Sequence, residues 1–193
     1  MMIIPKATSK QALCIIDVQP KTLVWEKSMN VVERICKYMD ITTYDAYIVV
    51  EYSAPQSSMM YKQTDRTITK EDAWATDQEI LHYLENKDNV CYIEKTNRSC
   101  FALENQDKIL DFLKKNDIDE IHLVGFDVDD CVLASLYGWL GCNLYSFVLE
   151  ELVHHHAYNE ELCASALTIF RHHHLTNNSL HPKIPFVKID LDF

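Results

Sequence analysis

The chain has 193 residues, 48% of them hydrophobic and 24% charged, and carries a formal net charge of −11, which is enough chain for one domain with a sizeable core. The acidic balance, with no basic stripe to offset it, argues against a nucleic-acid partner, and no apolar run approaches bilayer length. Seven cysteines, an odd number with no CxxC, and a start whose four apolar residues end at Pro5 point to reduced thiols in a cytoplasmic protein, with neither a disulfide framework nor a secretory leader.

Taken in order, residues 1–11 read as a loose lead-in. Residues 12–17 (ALCIID) form a continuous apolar run ending in Asp17, as expected of a strand buried in the middle of a parallel sheet. Pro20 marks a loop after it. Residues 28–44 place Val31, Val32, Ile35, Cys36 and Met39 at helical spacing. Residues 46–51 (AYIVVE) predict a second strand. Residues 55–70 are polar and rich in breakers, and predict a long loop over one sheet edge. A short helix is expected at 76–86, with Ile80, Leu81 and Leu84 on one face.

Residues 89–94 (NVCYIE) predict a third strand, ending at Lys95. A helix follows at 105–116, with Ile109, Leu110 and Leu113 inward. Residues 121–149 then hold a complete βαβ unit: an apolar strand to Gly125, a polar loop, an apolar helix opened by Cys131, a stop at Gly141 and another strand from Leu144. A loop at 150–158 contains His154, His155 and His156. A helix at 159–170 is followed by His172, His173 and His174. Residues 186–191 alternate and suggest a last edge strand. No repeat or linker interrupts the alternation. The pattern is that of a single domain, residues 1–193, with a three-layer, Rossmann-like α/β fold. Its mostly parallel sheet of about six strands carries helices on both faces.

Right-handed crossovers put the strand ends at Asp17, Lys95 and Gly125 on one edge, where open α/β sheets bind ligands. A carboxylate, an ammonium and a thiol then face one another. The thiol of Cys131 is a weak nucleophile until ionised. A neighbouring ammonium and a helix N-terminus favour the thiolate, and a carboxylate can accept its proton. Each residue alone has a plainer use: Cys131 as a small buried hydrophobe, Asp17 as a cap, Lys95 as a solvated charge. The conjunction carries the argument.

The stretches ALCIIDVQ (12–19), EKTNRSCF (94–101) and VGFDVDDCVLAS (124–135) resemble, in order, the signatures of the isochorismatase-like cysteine hydrolases. That family includes nicotinamidases, N-carbamoylsarcosine amidase and isochorismatase. The resemblance spans about residues 10–175. It implies Asp17 as base, Lys95 as its cationic partner and Cys131 as nucleophile. It also implies a cis peptide between Phe126 and Asp127, with the backbone N–H groups of Asp127 and Cys131 forming an oxyanion hole. The implied reaction is hydrolysis of a small amide, carbamoyl or related substrate through a thioester, without cofactor, by a homo-oligomer. Two rival readings share the scaffold: a non-catalytic binding or assembly module, and cleavage of an isochorismate-type vinyl ether.

The sequence departs from the family pattern in three places. Glu51-Tyr52-Ser53 stands where nicotinamidases carry an Asp-x-His metal motif, so no metal is expected there. Val128 replaces a frequent Thr. Asp127, Asp129 and Asp130 surround the nucleophile, and would raise its pKa if they pointed inward. Phe101 and Tyr137 are candidate pocket residues, although aromatic core packing is the commoner use. The two His triplets invite a metal reading, but consecutive helical side chains diverge by about 100° and rarely share an ion.

Overall fold

The computed structural model describes residues 2–5, 9–20, 23, 26–65, 67, 75–179 and 186–189. Its centre is a five-stranded, wholly parallel sheet. In chain order the strands are β2 (Gln11–Ile16), β3 (Ala46–Tyr52), β4 (Val90–Lys95), β5 (Glu120–Gly125) and β6 (Tyr145–Val153), and in space they run β4-β3-β2-β5-β6. The order reverses at β2. The chain winds outward through β3 and β4, then returns to build β5 and β6 on the other side.

The continuous apolar run of β2 is explained by burial on both faces. Side chains alternate along a strand, so Ala12, Cys14 and Ile16 enter one core and Leu13 and Ile15 the other. The first core is closed by α4 (Leu103–Asn116), α5 (Cys131–Gly141) and α6 (Glu160–His172), through Ile109, Leu113, Val132, Leu136, Trp139 and Phe170. The second is closed by α1 (Glu26–Ile41) and α3 (Gln78–Leu84), through Val31, Ile35, Met39, Ile80 and Leu84. Helices therefore cover both faces, giving three layers. Among the described residues no helix is long and apolar enough to cross a membrane.

The structure differs from the sequence reading in four elements. The lead-in contains a strand, β1 (Met2–Pro5), which pairs antiparallel with β7 (Phe186–Ile189), Met2 opposite Ile189. The expected last edge strand thus belongs to a separate two-stranded ribbon, which is why the main sheet has five strands instead of about six. Residues 190 and 191 lie outside the described residues. The predicted loop at 55–70 includes a short helix, α2 (Met59–Thr64), capped by Ser58, whose hydroxyl accepts from Tyr61 N–H at 3.0 Å. Its residues 66 and 68–70 are not described.

The fourth difference is β6, which continues through Glu150 to Val153. A buried carboxylate at Glu150 is tolerated in a strand because Arg171 and Thr176 donate to it, and burial against those bonds leaves its pKa lowered. A second buried polar string lies at the opposite end of the sheet from the strand tips. Tyr44 Oη and His122 Nδ1 are 2.6 Å apart, His122 Nε2 is 2.7 Å from Glu120 Oε1, and Gln11 Nε2 donates to the same oxygen at 2.6 Å. Every ring nitrogen and carboxylate oxygen used there has a partner, as buried polar groups require.

Candidate active site

Three segments meet at the carboxyl edge of the sheet. β2 ends at Ile16, and Asp17 turns into the left-handed region at φ 52°, with its N–H on Val50 O at 2.9 Å. Aspartate is among the few residues that adopt this conformation readily. The turn takes its side chain out of strand alternation and over the strand tips. Beside it, Gly125 ends β5 at φ 110°, where a Cβ would stand 2.1 Å from Ile16 O. Only glycine allows β5 to leave the sheet so close to β2.

After Gly125 the loop passes through a cis peptide between Phe126 and Asp127. The carbonyl of Asp127 accepts from Asp130 N–H at 3.1 Å and Val132 N–H at 2.9 Å. This fastens the loop to the first turn of α5 and sets Cys131 as its first residue. Lys95, the last residue of β4, is fully buried. Its Nζ lies 2.7 Å from Asp17 Oδ2, 3.2 Å from Cys131 Sγ and 3.2 Å from Asn97 O. It also sits 4.7 Å from the centre of the Tyr52 ring. Carboxylate, ammonium and thiol are therefore one cluster, with the lysine between the other two.

Electrostatics divide the proton among these groups. Burial pushes the Cys131 thiol up, with Asp17 adding and Lys95 opposing, to about 12. Burial also raises the Asp17 carboxyl, against the pull of Lys95. Burial works against the Lys95 ammonium, but attraction to Asp17 and Cys131 outweighs it and raises its pKa. The resting thiol is thus protonated, beside a carboxylate made more basic than usual. Asp17 Oδ1 is buried and accepts no hydrogen bond among the described residues, so an acceptor is open next to the cluster.

The three acidic residues around Cys131 do not converge on it. Asp127 turns its carboxylate to His156, receiving that residue's N–H on Oδ1 at 2.5 Å and facing its Nδ1 from Oδ2 at 2.7 Å. Asp130 pairs with Arg98. Asp129 keeps one buried oxygen without a hydrogen-bond partner among the described residues, and its charge bears on Cys163 of α6. The elevation of Cys131 comes from burial and Asp17 instead.

The two aromatic candidates are placed differently. Phe101 packs on Trp139, ring centres 5.1 Å apart, with its Cβ close against Gly138. Tyr137 is 46% exposed. The ring beside Lys95 is that of Tyr52, which sequence reasoning passed over because it lies at a strand end in a departure from the family pattern. Gln19, inside the first quoted stretch, ties this corner together: its Oε1 accepts from Tyr52 N–H at 2.8 Å and its Nε2 donates to Tyr52 O at 3.2 Å. Glu51 accepts from both Thr76 N–H and its hydroxyl. No three-ligand group among the described residues includes His172, His173 or His174.

No family model and no curated protein matches the chain. Solved structures do. An isochorismatase-like hydrolase from Alkaliphilus metalliredigens superposes with a TM-score of 0.68 at 18% identity, covering 84% of this chain and 91% of that one. The fold is that of the isochorismatase-like hydrolases. N-carbamoylsarcosine amidase from Thermoplasma acidophilum gives 0.68 at 21% identity over 86% and 94% of the two chains. The yeast nicotinamidase gives 0.66 at 13% identity over 89% and 98%. At these identities the isochorismatase-like likeness is one of architecture, and what the strand tips do follows from their own chemistry.

Proposed function

We propose that this protein is a cysteine hydrolase that cleaves a small amide, carbamoyl or related substrate through Cys131, Asp17 and Lys95. The observation that carries this reading is the position of Lys95 Nζ, fully buried and within 3.2 Å of both Asp17 Oδ2 and Cys131 Sγ. A buried lysine held between a carboxylate and a thiol is hard to account for by packing, since an apolar residue would fill the space without a desolvation penalty.

The steps follow from the proton inventory. Asp17 takes the thiol proton as Cys131 Sγ attacks the substrate carbonyl. Lys95 holds both the carboxylate and the forming thiolate in place. The developing oxyanion is received by the N–H groups of Asp127 and Cys131 at the start of α5, where the helix dipole adds to their effect. Protonated Asp17 then donates to the leaving amine, the C–N bond breaks and a thioester remains. Water, deprotonated by Asp17, cleaves the thioester and restores the thiol. The neighbours' printed activities, on nicotinamide and N-carbamoylsarcosine, support a small amide-like substrate. The same proposal carries the expectations of a cytoplasmic protein, from its cysteines, and of a homo-oligomer, from the family resemblance.

The test is turnover of a panel of small amides by wild type and Cys131→Ala. Turnover lost in the variant, with a Cys131 acyl adduct trapped in wild type, supports the reading. Wild-type turnover that survives the substitution overturns it.

A further inference from the structure

Outside the triad, three metal-binding side chains gather on two segments. Asp127, in the loop before α5, and His155 and His156, just after β6, each present one donor atom, and these atoms all lie within 4.8 Å of one another. All three residues are half-buried. The objection to an ion shared by consecutive histidines assumes a helix, and residues 154–157 are not helical. His154 turns away and stacks on Tyr158, ring centres 4.2 Å apart, while the rings of His155 and His156 lie 4.5 Å apart at 29°. The third donor comes from Asp127, not from His154.

The set is already organised. His156 N–H fixes one oxygen of Asp127, and His156 Nδ1 lies 2.7 Å from the other. Carboxylate and imidazole thus already face one another across the gap that a cation would bridge. Binding asks His155 to give up a contact at 3.1 Å in which its Nδ1 accepts from Ala157 N–H. Two imidazole nitrogens and one carboxylate oxygen suit zinc and its first-row neighbours, leaving coordination positions open, and do not suit calcium or magnesium.

We propose that Asp127, His155 and His156 form a binding site for a divalent transition-metal cation of the zinc class. The site is separate from the position at 51–53, and it stands whether or not Cys131 hydrolyses anything. Its consequence is mechanical. The same Asp127 whose carboxylate would hold the ion caps the start of α5 with its carbonyl. His154 also accepts from Val128 N–H through its carbonyl at 3.1 Å. A bound cation would therefore cross-link the segment after β6 to the loop that presents the thiol.

The test is titration of chelator-treated full-length protein with cobalt(II), read by its visible absorption, followed by displacement with zinc. One equivalent is expected in wild type, in Cys131→Ser and in Cys36→Ser, the last removing the thiol of the other three-ligand group among the described residues, Cys36, Asp77 and Glu79. Asp127→Asn should weaken binding about tenfold or more, and His155→Ala and His156→Ala should lose it. Circular dichroism checks that each variant is folded. If His156→Ala is not, His155→Ala decides alone, because the hydrogen bonds to Asp127 are made by His156. Wild type that takes up neither ion overturns the proposal. So does uptake that survives His155→Ala and disappears with either cysteine.

Discussion

Lys95 and Asp17 form a salt bridge of 2.7 Å in which the lysine side chain is wholly out of water. Among the described residues the pair is the most heavily desolvated ion pair at the strand tips. Lys95→Met leaves the Asp17 carboxylate buried without its cation, and a buried charge so orphaned destabilises by about 3–5 kcal/mol. Asp17→Asn with Lys95→Met removes both charges and should recover part of that loss. Urea denaturation of wild type and the two variants measures the difference.

The same pair sets the reactivity of Cys131. A thiol pushed up to about 12 is protonated at neutral pH, so alkylation of Cys131 by iodoacetamide should be slow there and should keep rising well above pH 9. Asp17 is the second cause of that elevation. Asp17→Asn removes a negative neighbour, and alkylation at neutral pH should rise by about tenfold for each pKa unit recovered. Amide turnover in the same variant should fall, because the base is gone. Opposite movements of the two rates identify Asp17 as the proton acceptor; parallel movements would assign it to structure alone.

Acid stability should follow His122. Burial holds its imidazole below the ordinary 6.5, against the pull of Glu120. As pH falls through 6.5 the unfolded chain takes up this proton before the folded one does, so stability is complete above that value and is lost on the acid side. His122→Gln, which cannot take up the proton, should flatten that part of the stability profile. Thermal melts across pH 5 to 8, within the range where an ordinary histidine titrates, provide the measurement.

Gly125→Ala should be among the most damaging single substitutions. Its Cβ would meet Ile16 O at 2.1 Å in a backbone conformation at φ 110° that side chains avoid. A penalty of at least about 3 kcal/mol is expected, visible as a shifted denaturation midpoint. Because Gly125 leads directly into the loop that presents Cys131, amide turnover should fall in the same variant.

Much of this was readable beforehand for a physical reason. Strands buried on both faces are mostly apolar, so β2, β3 and β5 stand out as runs, and the residues at their ends follow from counting. The ribbon of β1 and β7 was not readable as such, because its two strands lie at opposite ends of the chain and neither run is long. Glu150 disguised the continuation of β6, since its partners Arg171 and Thr176 lie in later segments. The outward turn of Asp127 depends on His156, 29 residues on. Tyr52 was missed because its role comes from lying beside Lys95, and a register partner on the adjacent strand, 43 residues away in the chain, leaves no local signature.

The strand order has one more implication. β4 lies at the sheet edge, with β3 between it and β2. Parallel strands stand about 4.8 Å apart, so the backbone of Lys95 starts roughly 10 Å to the side of β2. Tyr52 is its register partner on β3, and the ammonium lies over that ring. The lysine is therefore a bridge thrown across an entire strand, with Tyr52 as its pier. A shorter cation in that position could not span the gap, and a one-residue slip of β4 along β3 would land the bridge in the wrong place.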